Sequence, residues 1–213
     1  MSPFVTHKNL LAQFCCGILL VTGVEAAVSI ATDSGGTYTA STTDLLQTQV
    51  ASVDKVGSQT GEVTFLTDGS IGGTDTNAWR ANADDAVTYT LDISTNTLGY
   101  DITNITTYAQ WTSRSNQGYT VSVSLVGSAD FTTLATVSEE FPGGPFTQVI
   151  VTDDSGVLAT GVDAIRFEAA DLGLNWNGYR EFDVSGAATI PEPSVALVSG
   201  LGCLLLLRRR RIQ

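Results

Sequence analysis

Along the middle of the chain hydrophobic and polar positions alternate with a period of two, and turn residues cut the alternation into short runs. The runs are EVTFLT (Glu62 to Thr67), AVTYTLDI (Ala86 to Ile93), ITNITTYAQW (Ile102 to Trp111), YTVSVSLV (Tyr119 to Val126), FTQVIVT (Phe146 to Thr152), AIRFEAA (Ala164 to Ala170) and YREFDV (Tyr179 to Val184). A period of two sends successive side chains to opposite faces, so each run predicts a strand with one buried face. Their β-branched and aromatic content suits a pleated surface. Between them TDGSIGGTDTN, STNTLG, SRSNQG, GSAD, FPGGP, TDDSG and NWNG supply the glycines and Asx residues that tight connections require. Residues 31–61 read as a lead-in strand and a loop around Leu45 and Leu46. No stretch of ten or more residues in this region repeats its apolar positions at the three-and-four spacing of a helix. Seven or eight short strands predict an all-β fold, an antiparallel β-sandwich of the jelly-roll kind.

The two ends break the pattern. His7 and Lys8 precede an apolar stretch from Leu10 to Val24, and Val24-Glu25-Ala26 offers small residues where a signal peptidase reads. Residues 1–26 therefore read as a secretory signal helix, the alternative being a buried first helix. At the other end Pro191-Glu192-Pro193 leads into apolar residues from Ser194 to Leu207 and then Arg208, Arg209, Arg210 and Arg211. These fourteen residues make a transmembrane helix of roughly 21 Å, short for a hydrocarbon core of about 30 Å. Pro191 and Pro193 oppose lengthening it backwards, and the arginines fit a cytoplasmic stop. The expected organisation is signal peptide 1–26, β-sandwich 27–189, and a terminal segment 190–213.

Charge narrows the function. From Ala27 to Thr189 the chain carries 20 acidic residues and five basic ones, Lys55, Arg80, Arg114, Arg166 and Arg180. Such a surface repels phosphate backbones and argues against nucleic-acid binding. The same region contains no His and no Cys, since His7, Cys15, Cys16 and Cys203 all lie outside it. Ser-His-Asp and Cys-His nucleophile arrangements and the usual zinc ligand sets are thereby absent from it. The adjacent acids Asp84-Asp85, Glu139-Glu140 and Asp153-Asp154 are not the facing pair, about 5–10 Å apart, that glycoside hydrolysis needs. A lone Lys55 reads as a solvated side chain. The expectation is a protein that is not an enzyme. Trp79, Trp111 and Trp176 are the candidates for stacking on a sugar ring, and Trp176, between two asparagines in LNWNGYR, is the first choice as a surface contact for a ligand.

The order FLTDGSIGGTDTNAW, VTYTLDIS, ITNITTYAQWTSR, YTVSVSLVGSADFTTLATV, AIRFEAADLG, YREFDVSG resembles the galactose-binding-like jelly roll of discoidin-type domains and several carbohydrate-binding modules. The resemblance covers about residues 61–186. It implies a structural calcium between the Asp-Gly loop and the glutamate of the last strand, here Asp68 with Ser70 or Thr74, and Glu181. A hard cation takes six to eight oxygens; the alternative is a plain polar loop with Asp68 capping a turn and Glu181 facing solvent. The trio Pro191, Glu192 and Pro193, the apolar run and Arg208 to Arg211 resemble the PEP-CTERM sorting signal of Gram-negative bacteria. That resemblance implies exosortase as processing partner. It also implies transient tethering in the inner membrane, then release to the cell surface or extracellular matrix, among exopolysaccharide. Two functions stay open: a glycan-binding protein, or a structural or adhesive surface protein with no ligand site. A divergent glycosidase would require two inward-facing carboxylates in one cleft.

Overall fold

The computed structural model describes residues 27–55, 63–72, 78–173 and 175–191. The expected signal helix and the tail beyond Pro191 lie outside these residues, and among the described residues no helix is long and apolar enough to cross a membrane. Ten strands are described: β1 (Val28–Ser34), β2 (Ser52–Lys55), β3 (Trp79–Ala81), β4 (Ala86–Thr90), β5 (Tyr100–Ala109), β6 (Gln117–Leu125), β7 (Thr132–Glu139), β8 (Thr147–Asp153), β9 (Ala159–Ala169) and β10 (Asn177–Ala188). All pairings are antiparallel.

The pairings resolve into two leaves, β1-β8-β5-β10-β3 and β7-β6-β9-β4-β2. They join at one corner, where the first residues of β9 pair with the first residues of β5 (Tyr100 opposite Val162, Ile102 opposite Ala159) before β9 crosses to the second leaf. Gly99, at φ +80°, makes this corner possible, because a Cβ there would meet the backbone of Gly161 and Val162 at 2.7 Å. Only β6 and β7 are consecutive strands in one leaf; every other step in chain order changes leaf. The chain is thus an all-β antiparallel sandwich, and the period-two runs are its strands.

Three elements differ from expectation. Of the expected strand from Glu62 to Thr67, Val63–Thr67 is instead a 3-10 helix with adjacent Leu66 and Thr67 both buried, which one strand face could not do, and Glu62 lies outside the described residues. The helix is tied to the lead-in segment, since Thr48 N–H donates to the Thr67 carbonyl and the Thr67 hydroxyl donates to the Gln49 carbonyl. β7 carries only Ala135 and Val137 as buried side chains among threonines and serines, too faint a pattern to stand out. β3 is three residues long.

Between the leaves lies an aromatic stack. Phe167 on β9 and Phe182 on β10 lie face to face at 4.3 Å. Tyr119 on β6 meets Tyr179 at 6.1 Å, and Trp79 meets Tyr179 at 5.7 Å. Trp79, Tyr119, Phe167, Tyr179 and Phe182 are all 1% exposed or less. Their hydroxyls are satisfied inside: Tyr179 Oη donates to the Gly118 carbonyl at 2.7 Å, and Tyr119 Oη shares a 2.9 Å hydrogen bond with Thr107 Oγ1. Gln117 Nε2 reaches the Thr107 carbonyl and Thr147 Oγ1, so this polar thread also ties the leaves. Removing the ring at the centre leaves a cavity that rigid neighbours cannot fill: Phe182→Ala is expected to cost roughly 3–5 kcal/mol. In a calorimetric melt the midpoint should fall by about 10 °C.

Candidate functional site

β10 carries two different faces. Phe182 and Val184 face the opposite leaf, whereas Glu181 and Asp183, one residue out of phase with them, share the other face with Tyr108 and Thr106 of β5. That outer face is not open to water. The 3-10 helix and residues 41–49 lie over it, held by Leu45 N–H to the Val184 carbonyl at 2.8 Å and by Val184 N–H to Asp44 Oδ1 at 3.3 Å. Glu181 is 0% and Asp183 5% exposed.

Each carboxylate has one backbone partner and one orphaned oxygen. Glu181 Oε1 accepts from Gly69 N–H at 3.2 Å, and Asp183 Oδ2 accepts from Ser41 N–H at 2.7 Å. Asp44 Oδ1 accepts from Leu46 N–H at 2.8 Å. Glu181 Oε2, Asp183 Oδ1, Asp44 Oδ2 and Gln47 Oε1 are buried with no hydrogen-bond partner. Gln47 belongs to the same corner, since a Cβ on Gly69 would lie 2.9 Å from its Oε1. Burial pushes the Glu181 carboxyl up to about 9, with the negative charges of Asp183, Asp68 and Asp44 adding to it against the opposing Gly69 hydrogen bond. Asp183 is pushed up to about 6, first by burial and then by Asp44, while the Ser41 hydrogen bond opposes the rise.

The expected metal ligands fall here only in part. Asp68 is exposed and acts on Glu181 by charge, while its Oδ1 accepts from Ser70 N–H at 2.8 Å in an Asx turn. Ser70 is exposed and its hydroxyl accepts from Gly72 N–H. Thr74 lies outside the described residues. Glu181 does not face solvent. Among the described residues no three carboxylate, His or Cys side chains converge on one ion. The four orphaned atoms are all oxygens, the element that a calcium ion takes as ligand. Asp44, Gln47 and Asp183 were not picked out from the sequence. The Glu-x-Asp spacing on a strand does place two acids on one face, whereas nothing local marks Asp44 or Gln47.

A second cluster sits beside the first residues of β10. Trp176 and Trp111 are half-buried and meet edge to face at 5.9 Å. The guanidinium of Arg114 lies 4.3 Å over the Trp176 ring, and that of Arg80 lies 5.3 Å from the Trp111 ring and 6.0 Å from that of Trp176. Trp111 and Arg114 come together because Trp111-Thr-Ser-Arg114 is a turn, closed by Arg114 N–H to the Trp111 carbonyl at 2.7 Å. Thr112 at φ 49° and Asn175 at φ 64° hold the left-handed backbone, which costs free energy for a β-branched residue and is easier for asparagine. Gly178 on β10 has no side chain where Trp111 lies, and a Cβ there would clash with the Trp111 β-carbon at 2.4 Å. Arg180, 1% exposed, donates its Nε–H to the Gln110 carbonyl at 2.8 Å just beneath. Trp176 was expected at the surface as a ligand contact; the structure gives it company, since Trp111, Arg80 and Arg114 gather around it. Of the expected sorting residues, Pro191 is exposed, while Glu192, Pro193 and Arg208 to Arg211 lie outside the described residues.

No family model and no curated protein matches the chain. Solved structures of similar shape include the chitosan-binding module 1 of a chitosanase/glucanase from Paenibacillus sp. IK-5, at 19% identity and a TM-score of 0.42 over 67% of this chain and 98% of that one. Another is a family 32 carbohydrate-binding module from Clostridium perfringens in complex with galactose, at 14% identity and a TM-score of 0.47 over 66% of this chain and 95% of that one. Allantoicase is similar at 16% identity and a TM-score of 0.48 over 68% of this chain, and there the match covers only 43% of the other chain.

The buried acids set a pH dependence whose sign follows from their raised pKa values. Between about 4, where these carboxyls ionise in the unfolded chain, and the folded values of about 6 and 9, the folded protein holds more protons than the unfolded one. Stability is therefore full at low pH and is lost as pH rises through that window. In the presence of chelator the thermal midpoint should fall from pH 5 to pH 9. Glu181→Gln, which mimics the protonated acid, should flatten most of the fall above pH 6.

Proposed function

We propose that the chain is an exported, non-catalytic glycan-binding protein of the galactose-binding-like type, with its saccharide site at the tryptophan-arginine cluster. The observation that carries this is the pairing of Trp111 and Trp176 at 5.9 Å beside two guanidinium groups. Half-buried indoles offer apolar surface to the C–H faces of a sugar ring, and the arginines offer donors to its hydroxyls. The absence of His and Cys from 27–189 supports a non-catalytic role. On this reading the export signal, the exosortase-processed tail and the surface or matrix location describe where the protein holds its polysaccharide, after a transient stay in the membrane. The full chain on a glycan array should bind saccharide, and Trp176→Ala should lower that binding at least tenfold with the fold intact by circular dichroism. Absence of binding by the wild type to any glycan would leave the structural or adhesive surface role. Mass spectrometry of the protein from a host with active exosortase should show a chain lacking the residues after Pro193; an intact arginine tail at the surface would overturn the sorting reading.

We also propose that the acidic corner takes a structural calcium through Glu181, Asp44 and the Gln47 amide oxygen, with Asp68 adding charge at its rim. Support comes from their three buried oxygens without a partner. An unpaired buried oxygen costs about 1–3 kcal/mol, and a cation would satisfy several at once. Added calcium at pH 8 should raise the thermal midpoint of the wild type and leave that of Asp44→Asn/Glu181→Gln nearly unmoved; an equal rise in both would place the ion elsewhere.

A further inference from the structure

We propose that the tryptophan-arginine cluster selects acidic saccharides, with Arg114 as the residue that meets a uronate carboxylate. This rests on the cluster being a glycan site. One face of Trp176 is covered by the Arg114 guanidinium at 4.3 Å, and the other face is left to a sugar ring. The cluster therefore holds a cation backed by an indole. A guanidinium stacked by its face keeps its N–H edges free to point sideways, and those edges match the two oxygens of a carboxylate. Arg114 is half-buried; its side chain makes one long hydrogen bond, at 3.5 Å to the Trp176 carbonyl, and among the described residues it makes no ion pair. Its donors are largely uncommitted.

The distribution of charge points the same way. Residues 27–189 hold 20 acids and only five bases, and three of those five, Arg80, Arg114 and Arg180, stand at this one end of the sandwich. Bringing scarce like charges together costs repulsion, and shared indole faces offset part of it. An anion seated beside Arg114 offsets more. Elsewhere the acidic surface repels a polyanion, so an acidic chain can settle productively only at this end. The surrounding parts keep the guanidinium in place: the Trp111-to-Arg114 turn and the side-chain-free Gly178 fix both indoles against β10.

The test is calorimetric titration of the full chain with oligogalacturonate and alginate oligomers, each beside its methyl-esterified form, which keeps the ring and loses the charge. The wild type is expected to bind at least one acid form at least tenfold more tightly than its ester, with affinity falling as salt rises. Arg114→Gln should weaken binding of the acid form by a much larger factor than binding of the ester and so erase that preference, and Arg114→Lys should restore part of it. Circular dichroism melts of both variants confirm the fold. Equal affinity for acid and ester, or a preference that survives Arg114→Gln, overturns the proposal while leaving the glycan site standing. Failure to bind either form overturns the proposal here, and the glycan array decides separately whether the site itself stands.

Discussion

Everything at the working end of this protein depends on β10 being buried on both faces. A strand at the centre of a sandwich normally shows one face to the core and the other to water. Here the inner face carries Phe182 and Val184 into the aromatic stack, and the outer face carries Glu181 and Asp183 beneath the 41–49 segment and the 3-10 helix. Covering carboxylates with protein removes the water that would solvate their charge. The molecule answers with one backbone N–H for each acid, which satisfies half of each carboxylate. The remaining oxygens have no hydrogen-bond partner among the described residues.

This constraint links the two clusters. The strand that holds the acids also begins at the tryptophan-arginine end, through Asn177, Gly178, Tyr179 and Arg180. The register shift between Tyr179 and Glu181 lets the chain turn one alternation against another, so the ring of Tyr179 joins the core stack while Arg180 reaches the Gln110 carbonyl. A negative corner and a positive end thus lie along one strand, separated by a few residues.

The two clusters also differ in rigidity. The aromatic core beneath them is locked by stacked rings and buried hydrogen bonds, a platform that does not repack cheaply. On that platform the tryptophans stand on turns with strained backbone at Thr112 and Asn175. Placing contacts on short, fixed turns above a stiff sandwich lowers the ordering cost of binding.

The sequence by itself determined the strands, because period-two alternation is a local property and a run such as AVTYTLDI or FTQVIVT can satisfy it only as a half-buried strand. It also determined the sign of the surface and the absence of His and Cys from the region, which removes nucleophile arrangements built on those two residues regardless of fold. It pointed to Trp176, to Asp68 and to Glu181, but it gave Glu181 a choice between a cation and solvent. Only the tertiary structure shows that Glu181 is buried, because the groups that cover Glu181 and Asp183 come from 112 and 142 residues away in the chain, at Gly69 and Ser41. The same holds for Trp176, whose partners Arg80, Trp111 and Arg114 arrive from other connections. EVTFLT misled for the same reason: its apolar residues are buried by packing onto β10, and that contact shaped them into a 3-10 turn. Alternation along a strand states which face a residue takes; what lies over that face is set by segments far off in sequence.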